Sequence, residues 1–331
     1  MTFCDDLIAG SSGDFPPGYF DRFVFNLHPT DTTTPAVLMG HGVYPGEDTV
    51  DGFAILITET EQRNLRWSTE FGASGADGAG PFGFEVTNPN STWQLRLGAN
   101  PTGVTFDVTW TARAPYWAGL LEVGDNTSFE HLFQSGRYSG VLVIDGHPQR
   151  VDGWYGQRDR SRGLRRLSGG QGLHIWFQAQ FPDRSLGFLM VESRSGLRVL
   201  LEGAAMHENG ILDCVTEVRH DLQVDNDLDV KRGRFHVRTE SGTDYEIVVD
   251  ATSAGGYMSG GGYGGQHGQP MGRDHLESDV YAFDGSVNQR TLSTSLTDRL
   301  TLFDWDGVEG IGVLEFALSR SSSYGYRPTW T

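Results

Sequence analysis

The chain has 331 residues, 45 of them glycine, and 25 basic against 43 acidic side chains give a formal charge of −18. So acidic a surface excludes nucleic acid and anionic membranes as main partners, because both would repel it. Lys231 is the only lysine and sits in a polar stretch (Asp229-Val230-Lys231-Arg232-Gly233), which argues against Schiff-base and phosphate-loop mechanisms.

In chain order, Met1 to Asp6 carries neither a basic region nor an apolar stretch of signal-peptide length. No window approaches ~18 uninterrupted apolar residues. A soluble, cytoplasmic protein without stable membrane insertion is expected. Glu59 to Leu65 is a weak candidate for a short helix, and residues 72–81 read as a glycine-rich loop. Thr92–Leu97, Phe106–Ala112, part of Gly140–Ile144 and Tyr245–Val249 alternate apolar and polar residues, the period of half-buried strands. Asp51-Gly52, Asp145-Gly146, Asn209-Gly210, Ser241-Gly242, Asp284-Gly285 and Asp306-Gly307 punctuate them as turns. Asn209-Gly210 is the strongest hairpin signal, since the tightest hairpin turns need positive φ twice. A chain with about 15 to 18 such strands is all-β, with two barrels or sandwiches in tandem, 1–165 and 166–331.

Cys4 and Cys214 are too few and too far apart for a disulfide framework or a cysteine zinc site. Asp274-His275-Leu276-Glu277 places His275 and Glu277 on one strand face but supplies no third ligand, and Asp304 to Glu309 reads as a hairpin rather than a calcium loop. His207, His220 and His236 read as surface or internally satisfied histidines. The glycine tract at 254–272, with Tyr257, Tyr263 and His267 interleaved, has no dinucleotide fingerprint and reads as an ordered loop across a barrel mouth. Neither a metal nor an organic cofactor is expected.

The chemistry concentrates in Trp154 to Arg166, where five arginines surround Asp159 and the aromatic pair Trp154-Tyr155 precedes it. Burial would raise the pKa of Asp159 and make it an acid, whereas an arginine clasp would keep it ionised. Strand alternation would carry Arg158 and Arg160 to the face opposite Asp159 and leave it with Gln157 and Ser161. His174, Trp176 and Gln178 share one strand face that would suit a ligand-holding barrel interior, or else an outward surface.

The run Gly156-Gln157-Arg158-Asp159-Arg160-Ser161-Arg162-Gly163-Leu164-Arg165 resembles the Gly-Gln-Arg-Asp-His-Ser-Trp-Gly-x-Arg signature of the double-lipocalin proteins related to carotenoid 1,2-hydratase and the AttH-like proteins. Gly153 matches as well, while Arg160 and Arg162 stand where His and Trp are usual. Phe25-Asn26-Leu27-His28, Gly40 to Pro45, Gln134 to Gly140 and Gly261 to Gly265 extend the likeness over most of the chain. The resemblance implies two tandem antiparallel lipocalin-like barrels. In the hydratase branch the matching aspartate protonates an alkene, assisted by an upstream His-x-Trp pair and a tyrosine two residues before it. This chain offers His131-Leu132-Phe133 and Gln157 at those places.

These observations lead to a cofactor-free hydratase, isomerase or cyclase acting on a small, apolar, unsaturated molecule of terpenoid or polyene type. Asp159 is the candidate acid, and His131 orients it or receives the proton. Trp154, Tyr155, Phe133, His174, Trp176 and Tyr263 are candidate substrate contacts. Two other readings remain open: a carrier that binds a hydrophobic ligand unchanged, and a pericyclase-like enzyme in which Gln157 or Arg158 polarises the substrate. A homo-oligomer is compatible with all three.

Overall fold

The computed structural model describes residue 5 and residues 15–73, 77–123, 127–164 and 171–329. Cys4, Arg165, Arg166 and the expected division at residue 165 lie outside these.

Strands dominate. The first sheet runs His275–Ala282, Glu61–Glu70, Thr49–Ile57, Ala36–Tyr44, Tyr19–Leu27, His147–Leu164, Thr127–Ile144, Val104–Ala112, Thr92–Leu97, Phe82–Asn88 and Gly78–Ala79, with Trp117–Val123 also paired to Thr127–Ile144. Every pairing in it is antiparallel, and it curls without its two ends meeting among the described residues. Glu61–Glu70 is thus strand, not the short helix expected over 59–65. Its alternating partners in the neighbouring strand override a weak local helix preference.

The second sheet is a closed ring of eight strands: Gln171–Gln180, Arg184–Ser193, Arg198–His207, Leu212–Val224, Val230–Thr239, Asp244–Asp250, Thr297–Trp305 and Val308–Leu318. Pairing of Asp244–Asp250 with Thr297–Trp305, and of Val308–Leu318 with Gln171–Gln180, closes it. Asn209-Gly210 and Asp306-Gly307 are both hairpin tips; Asp306 and Gly307 have φ of 51° and 81°, the positive pair such a turn demands. The ring is filled by its own side chains, among them Phe177, Phe188, Phe235, Phe303 and Leu314. Its interior is core and not a ligand chamber.

Between the sixth and seventh ring strands the chain leaves the barrel. Gly255–Tyr257 pairs along Thr297–Trp305, a short 3-10 turn spans Met258–Gly261, and His275–Ala282 joins the edge of the first sheet. The expected loop over 254–272 is an ordered crossing that covers the outer face of the first sheet. Ala36–Tyr44 and Thr49–Ile57 are therefore buried on both faces. Val37, Met39 and Leu56 point into the first core, while Leu38, Phe53 and Ile55 pack outward on Met258, Leu300 and Val313.

The outer face of the first sheet lies against the outer face of the closed barrel. Phe133 meets Trp176 edge-on with centroids 4.7 Å apart, Ser135 and Ser185 hydroxyls are 2.7 Å apart, and Asn26 donates to Gln178 at 2.5 Å. Gly187 marks how tightly they meet, because a Cβ there would lie 2.7 Å from the Phe133 ring.

Candidate functional site

A cavity of about 100 Å³ opens in this seam. Alternation builds both of its walls. From the first sheet come Arg22, Val24 and Asn26 of one strand, Gln157, Asp159 and Ser161 of the next, and His131; from the barrel come His174, Trp176 and Gln178, with Leu189, Asp298 and Glu315. Tyr263, on the crossing segment, completes the wall.

Of the candidates singled out in the sequence, Asp159, His131, Gln157, His174, Trp176 and Tyr263 converge here. Phe133 stands behind Trp176 and supports it. Three more candidates do not reach the cavity. Arg158 points the opposite way, into the first core, where it pairs with Asp5, donates to Gln134 at 3.0 Å and lies 5.5 Å from the centroids of Trp93 and Trp110. Trp154 packs against that same core. Tyr155 is covered by Arg113 and Arg137. The alternation that exposes Asp159 to the cavity removes Arg158 from it. His174, Trp176 and Gln178 share a face as expected, but it is the outer face of a filled barrel, covered by the first sheet.

The arginines flanking Asp159 are held elsewhere: Arg160 and Arg162 both bind Asp21, at 2.9 and 2.7 Å. Asp159 instead meets His131, whose Nε2 is 2.9 Å from Oδ2. The other imidazole nitrogen, Nδ1, bonds Glu202 of the barrel. Burial opposes charge on this ring, but the carboxylates on either side outweigh burial and push its pKa up to about 10. Glu202, His131 and Asp159 thus form a bridge spanning the seam, with the central ring held as its cation at neutral pH. The Asp159 side chain is 21% exposed, against 2% for His131.

The barrel wall carries a second acidic group. Asp298 and Glu315 face each other across adjacent strands. Glu315 bonds His174 Nε2 at 2.7 Å. Burial first, and the Glu315 carboxylate second, hold the Asp298 carboxyl well above the usual carboxylate range, which favours its protonated form. Its Oδ1 has no hydrogen-bond partner. Tyr263 lies within the electrostatic reach of Arg22, Glu315, Asp298 and Asp159 together, which places these groups around one small space; burial raises its own hydroxyl pKa.

Asp298, Glu315, Glu202 and Arg22 escaped the sequence reading. A signal exists: each is a charged residue in phase with an apolar strand face. Asp298 alternates with Leu300, Glu315 with Val313, Glu202 with Ala204 and Met206, and Arg22 with Phe20 and Val24. That they meet is a matter of how two sheets pack.

Among the described residues no group of three His, Cys, Asp or Glu is arranged to hold a metal ion; Glu277, for one, is paired with Arg66 at 2.8 Å. No helix among them is long and apolar enough to cross a membrane.

The sequence profile of the family described as "Domain of unknown function (DUF7064)" matches residues 42–263. No curated protein matches the chain by sequence. Among solved structures, an AttH-like protein from Nitrosomonas europaea superposes with a TM-score of 0.62 at 13% identity, covering 95% of this chain and 99% of the other. CghA superposes with a TM-score of 0.50 at 12% identity, covering 97% and 94%. Kievitone hydratase from Nectria haematococca gives 0.49 at 11%, covering 94% and 93%. The first two share the double-lipocalin fold with this chain, in agreement with the resemblance carried by the residues around Asp159.

Proposed function

The chain belongs to the DUF7064 family, and for this member we propose an acid–base enzyme that hydrates, isomerises or cyclises a small unsaturated molecule in the seam cavity. One observation carries this reading: Asp298, a carboxyl that burial holds above the usual carboxylate range, shares a small, partly aromatic cavity with Asp159, which is bonded to His131.

Protonating an alkene needs an acid that keeps its proton at working pH and a wall that tolerates the resulting cation. Asp298, whose carboxyl burial holds above the usual carboxylate range, suits that role. Its proton passes to one alkene carbon, leaving the pair Asp298–Glu315 one proton short. The cation formed lies before the faces of Trp176 and Tyr263 and the carboxylate of Asp159. Asp159 then takes a proton from the neighbouring carbon, which shifts the double bond, or from a water that adds to the cation. Either way one proton enters the substrate and one leaves it or the added water, so no further reactant is consumed. His131 holds Asp159 in place between the two walls. The assignment of acid and base is thus the reverse of the sequence expectation, because the partner of Asp159 is a cation.

The cavity admits the reacting end of a substrate, not the length of a carotenoid-like polyene.

The test is deuterium uptake at carbon, read by mass spectrometry, from a panel of short terpenoid and polyene alcohols, ketones and acids incubated with the protein in deuterated buffer. Wild-type protein incorporates deuterium into at least one compound, and Asp298→Asn and Asp159→Asn each lower the rate about a hundredfold or more. Uptake unchanged in both variants would sink the reading.

A further inference from the structure

Arg22 is a cation in the cavity wall with no carboxylate beside it. Its guanidinium lies against the rings of Tyr263 and Phe53, 4.9 and 5.4 Å from their centroids. Nη1 donates to the Tyr44 hydroxyl at 3.4 Å, while Nε and Nη2 have no hydrogen-bond partner among the described residues. Other buried arginines of the same sheet are matched by acids: Arg158 by Asp5, Arg160 by Asp21, and Arg66 by Glu277 and Asp279. Asp51 acts on Arg22 from a distance, but its Oδ2 accepts the Gly268 N–H at 2.8 Å and lies 3.4 Å from His267.

An unmatched buried guanidinium is unfavourable, and an anionic oxygen pair would relieve it. A planar guanidinium suits a planar carboxylate.

We infer that Arg22 seats the carboxylate of a short unsaturated acid, with its double bond presented to Asp298 and Asp159. This deepens the proton-transfer reading and rests on it for the fate of the double bond. Arg22, Asp298 and Asp159 all act on one tyrosine, Tyr263, around a cavity of about 100 Å³. The double bond therefore lies within a few bonds of the carboxylate.

Calorimetric titration of the full-length protein with sorbate, with sorbyl alcohol and with acetate tests the seat apart from any turnover. Sorbate binds about tenfold or more tightly than the alcohol, the gain expected of a charge-assisted contact, and more tightly than acetate. Arg22→Gln erases the preference for the acid and Arg22→Lys restores part of it. If Arg22→Gln does not fold by circular dichroism, the ratio of acid to alcohol on wild-type protein decides. Undetectable sorbate binding, equal affinity for sorbate and its alcohol, or a preference that survives Arg22→Gln, overturns the inference. Acetate binding as tightly as sorbate marks a bare anion site and overturns the unsaturated-acid assignment. An Arg22-dependent preference without deuterium uptake upholds the seat and rejects the proton transfer instead.

Discussion

At the scale of single residues, Asp298 and His131 carry opposite energetic signs. A carboxyl whose pKa is raised on folding contributes stability below its unfolded value and loses it as pH rises through the folded one. Asp298 is such a group, so at pH 8 it weakens the fold that contains it. The neutral isostere in Asp298→Asn keeps a donor towards Glu315 and removes the penalty. Its melting temperature at pH 8, measured by calorimetry, is expected to equal or exceed that of wild type while deuterium uptake is lost. A clearly lower melting temperature would mean that the Asp298 carboxyl is structural. His131→Gln does the reverse. It removes the cation that Asp159 and Glu202 share and leaves two carboxylates facing each other. Breaking a buried pair costs about 3–5 kcal/mol, which here corresponds to a fall on the order of 5–10 °C in melting temperature.

Elements decide which residues reach the cavity. Tyr19–Leu27 and His147–Leu164 pair with Val24 opposite Asp159, and their alternation sends Arg22 and Asp159 outward and Phe23 and Arg160 inward. A slip of one residue would exchange those faces entirely. The seam itself depends on small residues where strands of the two sheets touch. Gly187→Val would drive a branched side chain into Phe133, which has no room to retreat because Trp117 stacks on it at 5.1 Å and Trp176 meets its edge. Such overpacking costs about 1–3 kcal/mol. The expected result is a folded protein with a lowered melting temperature and displaced Trp176, read as a change in near-ultraviolet circular dichroism. An unaltered spectrum would show that the sheets can part there freely.

For the whole molecule, the titrating groups that oppose one another set the pH of greatest stability. His28 and His41 are buried, and burial lowers each to about 4 from an ordinary 6.5. Groups lowered in this way cost stability as pH falls from about 6.5 towards 4, when the unfolded chain takes up protons that the fold refuses. His131, raised to about 10, loses its contribution as pH climbs from about 6.5 through 10. Asp298, raised from an ordinary 3.8, also loses stability as pH rises, and the formal charge of −18 adds self-repulsion at high pH. The melting temperature is expected to peak between about pH 6 and 7 and to fall on both sides. In His131→Gln the alkaline limb flattens, and a profile still rising at pH 9 in wild-type protein would contradict the assignment of His131.

Alternation, turn residues and the run around Asp159 were enough, without coordinates, to specify an all-β chain, the tandem arrangement of its sheets and the face shared by Gln157, Asp159 and Ser161. These are local properties: a period of two fixes which side chains share a face wherever the strand comes to lie. Tertiary structure alone decided that the cavity lies between the sheets and not inside a barrel, and that Asp298, Glu315, Glu202 and Arg22 belong to the same site. Residues as distant in sequence as Arg22 and Asp298, or His131 and Glu202, meet only because one sheet's outer face covers another's. No periodicity within a strand encodes which face it will meet. Burial, which turns Asp298 into an acid and leaves Arg22 unmatched, arises from that contact.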